Sequence, residues 1–420
     1  MTRNRGPETE ARRPRRRAPA DTLAGVLSAV GMEPGANVIP FAVVSFAYFA
    51  YAGLIGTYGP LWFQGLGYST FAIGVLLALQ SATRIFSPYA WGWLADHTRR
   101  RERLLRVAAA GSLIASTGYF VPLDYGWIAA VTLGLFVCTA GVLPISETLL
   151  AQRLSVRGKL DVVRYGRVRV WGSFGFIVAV TASGFVLQAT GVARFPLLTS
   201  ALLALLLLAA WRLPAASEGS ADLAPGAAAL TVLRQPVVAW FFAGVFLTVL
   251  AHTSLYAFYS LYLASLGFAK GEIGVLWALG VATEVAWFWF QGRWLHHWSM
   301  HSWLVFAALA SALRFALIAA FGASVPVLVT AQCMHALTFA AQHSACIAVI
   351  TRHFPGRMRG RGQALYAVLG YGASGVVGGI AGGALSQAAG FASVFWAASV
   401  IALAAAWCCR RAAQLERVSG

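Results

Sequence analysis

The stretch GVLWALGVATEVAWFW, residues 274–289, holds a single ionisable residue, Glu284, among apolar, aromatic and small side chains. A carboxylate at the centre of a bilayer-spanning helix costs roughly 2.5–3.5 kcal/mol. Such groups face the bundle interior, pair with other polar groups and mark ion or substrate paths. Because burial favours the neutral form of a carboxyl group, a residue of this kind can take up and release a proton. We therefore predict a proton-coupling role for Glu284, with a structural ion pair as the alternative.

Two further candidates for proton coupling lie in other apolar segments. Imidazole gains and loses a proton near neutral pH, so a histidine beside Glu284 would complete a relay. His335 is the preferred histidine and His343 is the alternative, since one of the two is expected to face the interior. Arg314, in ALRFALI, is a candidate partner for the Glu284 carboxylate.

A second type of chemistry is the binding of an organic carboxylate. Arg84 lies in the apolar stretch LLALQSATRIF, and a guanidinium group grips a carboxylate through two parallel hydrogen bonds. Gln80 lies one helical turn before Arg84, on the same face, where it can assist. We predict that both residues contact substrate.

Aromatic residues supply the remaining candidates for substrate binding. His252, Tyr256 and Tyr259 are spaced i, i+4 and i+7, which places them on one helical face. Tyrosines on such a face can surround a ring and hydrogen-bond a carboxylate. Tyr51 is a candidate on the first apolar segment. Plain packing is the alternative for His252 and Tyr51.

Composition identifies the elements that must position these residues. The chain has 420 residues, of which 59% are hydrophobic and 11% are charged, against about 25% charged residues in soluble domains. Continuous apolar runs favour a helix bundle over a β-barrel, whose strands alternate. The predicted fold is all-α membrane, with twelve transmembrane helices at 38–62, 71–94, 104–122, 127–150, 166–190, 194–212, 236–263, 272–291, 303–322, 325–351, 361–386 and 389–409.

The net charge of +18 follows the predicted topology. Most of the 32 Lys and Arg residues fall in the tails and in the loops on the same side as the N-terminus. This is the positive-inside pattern, and it places both termini in the cytoplasm. The pattern predicts no nucleic-acid partner, because the basic residues are spread over separate loops rather than gathered in one domain.

Other function classes lack their signatures. The five cysteines lie inside predicted spans without metal-ligand spacing, so we predict no disulfide framework and no metal site. No P-loop, nucleophile triad or other catalytic set is present. We predict that the protein is not an enzyme, needs no cofactor and draws its energy from an ion gradient.

An internal repeat appears when the chain is shifted by 200 residues. LGYSTFAIGVLLALQSATRIF (66–86) then aligns with LGFAKGEIGVLWALGVATEVA (266–286), and Arg84 aligns with Glu284. Parallel six-helix repeats are the plan of major facilitator transporters, whose sites lie near the midplane. The predicted parts are a disordered Arg-rich cytoplasmic tail at 1–35, an N-terminal half at 36–213, a linker at 214–236, a C-terminal half at 237–412 and a short tail at 413–420. A start at Met32 rather than Met1 stays open.

The segment GWLADHTRRRERLL, residues 92–105, resembles the loop 2–3 signature of the major facilitator superfamily. Gly92 and Asp96 match that signature, whereas His97 replaces its usual basic residue. The resemblance implies a conformational gate formed by Gly92, Asp96 and Arg100, because a carboxylate among cationic groups can pair in one state and separate in the other. We place Glu147, in LPISETLL, in the same charge cluster, with the substrate site as the alternative.

Three further segments, YGRVRVWGSFGFIVAV, AHTSLYAFYSLYLASLGF and HALTFAAQHSACIAVI, resemble the 3-phenylpropionate permease family, which is close to the lactose and nucleoside proton symporters. The resemblance implies a monomeric transporter in the lipid bilayer of a bacterial inner membrane. Its expected activity is proton-coupled uptake of a small aromatic carboxylate by alternating access. The alternatives are a sugar or nucleoside symporter, a drug or metabolite exporter, and a receptor that does not transport.

Overall fold

Twelve long helices make up the bundle in the computed structural model, which describes residues 38–98, 100–156, 159–214 and 231–419. The N-terminal six are α1 (Ile39–Gly65), α2 (Thr70–Thr98), α3 (Arg101–Thr117), α4 (Tyr125–Arg153), α5 (Val162–Thr190) and α6 (Phe195–Trp211). The C-terminal six are α7 (Pro236–Ser265), α8 (Lys270–Phe290), α9 (Met300–Phe321), α10 (Val325–His353), α11 (Arg359–Ala389) and α12 (Phe391–Ser419). The predicted all-α membrane fold is confirmed.

Eleven of these helices are long and apolar enough to cross a membrane. The exception within the described ranges is α3, which is shorter, begins with the charged residues Arg101-Glu102-Arg103, and continues as a 3-10 turn over Gly118–Phe120. A two-residue antiparallel pair, Ser155–Val156 with Lys159–Leu160, connects α4 and α5. The predicted tail at 1–35 and most of the predicted linker at 214–236 lie outside the described residues, and α12 continues as a helix through most of the predicted tail at 413–420.

Matching turns join α1 to α2 and α7 to α8. Gly67 and Gly267 adopt φ angles of +85° and +90°, a backbone conformation that glycine tolerates and residues with a Cβ rarely adopt. Each follows a leucine whose N–H bonds to the last turn of the preceding helix, at Tyr262 and Leu263 in the second copy. The Leu-Gly pair shared by the two sequence repeats therefore ends both helices in the same way.

The bundle has two ends, which we name by their connections. The loop 1–2 end carries the turn between α1 and α2, and the termini end carries the start of α1 and the end of α12. The two six-helix halves pack closely at the loop 1–2 end. There, a Cβ added to Gly74 of α2 would collide with the carbonyl oxygen of Gly379 in α11 and would lie 2.9 Å from the Cα of Gly383. Small residues permit this backbone-to-backbone approach.

Hydrogen bonds reinforce the contact between the halves at the loop 1–2 end. The Tyr58 hydroxyl of α1 donates to the Val180 carbonyl of α5 at 2.6 Å, and the Lys270 carbonyl of α8 is 3.1 Å away. The Gly271 N–H donates to the Gln188 side chain at 3.1 Å. Tyr58 thus joins one helix of the C-terminal half to two helices of the N-terminal half.

Candidate functional site

A buried polar network connects α8, α9 and α10. Arg314 of α9 is completely buried and donates to His335 Nδ1 at 3.0 Å, Thr338 Oγ1 at 2.9 Å and Gln332 Oε1 at 2.8 Å. On the opposite side of the His335 ring, Nε2 lies 3.7 Å from Glu284 Oε2 of α8. The three predicted proton-coupling residues are therefore brought together, in the order Glu284, His335, Arg314.

The contact with Arg314 determines the tautomer of His335. A guanidinium group only donates hydrogen bonds, so His335 Nδ1 must accept and must carry no proton. The ring is then neutral, and its proton sits on Nε2, which faces Glu284. Among the described residues, no carboxylate lies within 4.0 Å of the Arg314 guanidinium, so the direct Arg314–Glu284 ion pair is absent in this conformation and His335 lies between the two groups.

A π-helical segment at Ala336–Ala341 changes the side-chain register of α10. The rings of His335 and Phe339 stack with centroids 5.1 Å apart at 6°, and those of Phe339 and His343 stack at 6.0 Å and 14°. His343 Nδ1 lies 3.3 Å from the Tyr366 hydroxyl of α11. His335 and His343, the two histidines between which the sequence left the choice open, thus belong to one column of stacked rings. Such π-turns are frequent at functional sites.

A small cavity lies beside this column, between α7, α10 and α11. His252, Tyr256, Gln342 and Tyr371 contribute polar groups to its wall. His252 is 3% exposed and its Nδ1 donates to the Thr248 carbonyl at 2.9 Å. The Tyr256 ring lies parallel to the indole of Trp277, with centroids 6.5 Å apart at 22°. The cavity therefore combines hydrogen-bonding groups with an aromatic surface.

The other predicted substrate residues lie at different depths. Tyr259 is fully buried below the cavity wall, and its ring packs on Trp277 with centroids 5.8 Å apart. Tyr51 is buried in α1, away from the cavity lining. Gln80 is half-buried, its backbone carbonyl accepts from the Thr83 hydroxyl, and its side chain makes no hydrogen bond to another described residue.

Arg84 is exposed and makes no hydrogen bond or ion pair with another residue in the described parts of the chain. Its charge interacts with the hydroxyls of Tyr48, Tyr256 and Tyr371. Two of those tyrosines line the cavity. A free guanidinium thus lies at the approach to the pocket.

A second arginine, Arg169 of α5, was not predicted from the sequence. It pairs with Glu147 of α4 at 2.8 Å, and its Cζ lies 4.5 Å above the Phe49 ring of α1. Its charge also reaches Glu284 and His343 in the C-terminal half, so it faces the space between the halves. The signal available in the sequence was that Arg169 is the last of three arginines, after Arg164 and Arg167, and directly precedes the apolar run VWGSFGF.

The predicted gate residues lie near the termini end. Asp96 pairs with Arg101 at 3.0 Å, whereas Arg100 is exposed immediately before α3. Gly92 is exposed, with no atom within 4 Å of the place where a Cβ would lie. The predicted cluster of Glu147 with Asp96 is not the observed arrangement, because the ion pair of Glu147 is with Arg169.

Comparisons with known proteins match this chain to one family model and to several transporters. The model of the MFS_1 like family matches residues 39–397. The chain is 26% identical over 365 residues to the probable 3-phenylpropionic acid transporter of Escherichia coli (strain K12), covering 86% of this chain and 94% of that protein. It is 27% identical over 258 residues to the maltose permease of Geobacillus stearothermophilus, covering 58% and 61% of the two chains. The crystal structure of the nucleoside transporter NupG superposes with a TM-score of 0.78 at 17% identity, covering 89% of this chain and 98% of that one.

Proposed function

The chain belongs to the MFS_1 like family, and from that premise we propose that it is a proton-coupled symporter for a small aromatic carboxylate. The family and the fold are those of membrane transporters rather than enzymes. The finer parts of the proposal are the proton, the direction of uptake and the substrate. The polar groups between the halves support the proton. The match to the probable 3-phenylpropionic acid transporter, which extends over 94% of that protein, supports the substrate.

The observation that carries the proposal is the position of Glu284. Its side chain is 20% exposed and faces the Nε2–H of His335, so it has access to water on one side and a hydrogen-bond donor on the other. When Glu284 is charged, its carboxylate is attracted by the N–H dipole of His335, whose Nε2 lies 3.7 Å away. When Glu284 is protonated, the region loses a negative charge, and the free energy needed to bury it away from water falls. Glu284 is therefore the proton carrier in our proposal, and His335 holds it in position.

Arg84 supplies the attraction for the carboxylate of the substrate. Its guanidinium is free in the described structure and lies near Tyr256 and Tyr371, so an incoming carboxylate would gain two hydrogen bonds without breaking an existing pair. The parallel rings of Tyr256 and Trp277 offer an aromatic surface for the rest of the molecule. Arg169 is a second cation in the same space, but Glu147 already neutralises it.

We further propose that the protein is a monomer in a bacterial inner membrane with both termini in the cytoplasm. The distribution of Lys and Arg supports this orientation. The close packing of the halves at the loop 1–2 end would then seal the outer side, and the cavity would open inward. Alternating access would reverse this arrangement around the central site.

A proton-coupled sugar or nucleoside symporter is the second candidate. The maltose permease relative and the fold match to a nucleoside transporter favour it. The two candidates differ in what competes for uptake: neutral sugars or nucleosides would compete in one case, and phenylpropionate in the other. An exporter would instead move substrate out of cells in exchange for protons.

The test is uptake of radiolabelled 3-phenylpropionate into proteoliposomes under an inward proton gradient. We expect accumulation by the wild type. We expect Glu284→Gln to lose accumulation and keep exchange of substrate for substrate, because a neutral amide still allows the alternating movement. The control is Glu272→Gln at the exposed start of the same helix, where either side chain can accept the Ala269 N–H. Normal accumulation by Glu284→Gln would overturn the role of Glu284. A wild type that transports sugars but takes up no 3-phenylpropionate would overturn the proposed substrate.

A further inference from the structure

His252 lines the cavity and carries a buried, unpaired ring nitrogen. Its Nδ1 contacts the Thr248 carbonyl, and a carbonyl only accepts, so the ring proton is on Nδ1. The opposite nitrogen, Nε2, then carries a lone pair. It is buried and has no hydrogen-bond partner in the described parts of the chain. Buried acceptors are normally satisfied, and an unpaired one is costly.

The surroundings of His252 determine which donor would fit. Phe339 and Val249 are apolar members of the cavity lining, and Tyr256, Tyr371 and Gln342 are the members nearby that carry hydroxyl and amide groups. The cavity is small, so it accommodates a compact group rather than a whole ring. An anion would face the lone pair of Nε2 and is disfavoured. A hydroxyl suits both kinds of group, because it donates to Nε2 and accepts from a tyrosine or from the Gln342 amide.

We propose that this cavity, the His252 subsite, binds a hydroxyl group of the substrate. The proposal rests on the function proposed above and narrows it to aromatic carboxylates whose ring carries a hydroxyl. Arg84 takes the carboxylate at one end, and His252 takes the hydroxyl at the other. Tyr256 lines the subsite and is also within range of the charge of Arg84.

The subsite should discriminate strongly against an unsubstituted ring. A site built to bond a substrate hydroxyl rejects the analogue that lacks it, because its own polar groups are left unpaired. For a single neutral hydrogen bond we expect hydroxylated acids to bind about tenfold more tightly than 3-phenylpropionate.

The experiment measures inhibition of labelled 3-phenylpropionate uptake by 3-phenylpropionate itself and by its 3-hydroxyphenyl and 4-hydroxyphenyl analogues. In the wild type, one of the hydroxylated acids should inhibit about tenfold more strongly. His252→Leu removes the acceptor and should make all three acids equal inhibitors, and size-exclusion chromatography of the purified variant checks that it folds. His252→Gln places an amide oxygen near the position of Nε2 and should restore most of the preference. The matched control is Tyr262→Phe, on the same helix outside the subsite, which should keep the full preference.

Failure of this proposal differs from failure of the proposed function. Equal inhibition by all three acids in the wild type would overturn the hydroxyl subsite and leave the carboxylate symporter intact. A preference that survives His252→Leu would also overturn it. Uptake of labelled sugars or nucleosides, with no uptake of 3-phenylpropionate, would overturn both proposals.

Discussion

The proton on His335 distinguishes two roles that an ion-coupling histidine can have. A histidine that carries a proton must change its own charge. Protonation of His335 Nδ1 would place an N–H donor directly against the N–H donor of Arg314, so the hydrogen bond between them would be lost. In this conformation His335 therefore acts as a fixed donor toward Glu284. The same reasoning at His252 gives the opposite result, a fixed donor to the backbone at Nδ1 and an unpaired acceptor at Nε2.

The first prediction concerns His335→Gln. The glutamine amide can donate toward Glu284 as Nε2 does, and it does not titrate. We expect proton-driven accumulation to persist with an unchanged dependence on external pH, measured as initial uptake rates in proteoliposomes across a pH series. His335→Leu is the control that removes both contacts. Loss of accumulation with preserved exchange in His335→Gln would show that His335 itself carries the proton.

At the scale of single elements, the helices themselves could be predicted because long apolar runs leave few alternatives in a membrane. The Leu-Gly turns after α1 and α7 were visible as a repeat, and each needs the positive φ that glycine supplies. The π-helical segments at Ala336–Ala341 and Tyr366–Ala373 were not visible, since no residue type specifies them. Regular helical spacing placed His343 on a different face from His335, and the π-turn stacks both on Phe339.

The second prediction concerns the loop 1–2 end. Tyr58→Phe removes the hydroxyl that joins α1 to α5 and α8, a loss of about 1 kcal/mol from the closed arrangement. We expect the loop 1–2 end to open about fivefold more often. The measurement is the rate at which a membrane-impermeant maleimide, supplied from the loop 1–2 side, labels a cysteine at Gln80 in a protein whose native cysteines have been replaced.

Tyr262→Phe is the control for this experiment. Tyr262 lies in α7 and donates to the Ile318 carbonyl of α9, within the C-terminal half, so its loss should not change the labelling rate. If Tyr58→Phe labels no faster than this control, the hydroxyl does not hold the halves together.

At the scale of the whole molecule, the two halves carry different polar networks. The N-terminal half has the Glu147–Arg169 pair and the free Arg84, and the C-terminal half has the chain from Glu284 through His335 to Arg314. The sequence predicted opposite charges at equivalent positions in the two repeats. It did not predict which neighbours each would meet, because those contacts depend on how α4, α5, α9 and α10 pack.

The third prediction concerns the movement between the halves. Gly74→Ala places a methyl group against the Gly379 backbone, which cannot yield as a side chain can. We expect the halves to be held apart at the loop 1–2 end, so that uptake falls by at least tenfold while substrate binding is retained. The measurements are uptake in proteoliposomes and equilibrium binding to the purified protein.

Gly56→Ala is the matched control, since an added Cβ there meets no atom within 4 Å. Its uptake should stay close to that of the wild type. Normal uptake by Gly74→Ala would mean that transport does not require the close approach of α2 and α11.

The paired turns at Gly67 and Gly267 also bear on ancestry. Two connections 200 residues apart share a Leu-Gly sequence and almost the same backbone angle. Descent from a single six-helix ancestor, duplicated and fused, accounts for both. Each copy kept the turn, but the equivalent position in the next helix became Arg84 in one and Glu284 in the other. Divergence after the duplication thus left a guanidinium group in the first copy and a carboxyl group in the second.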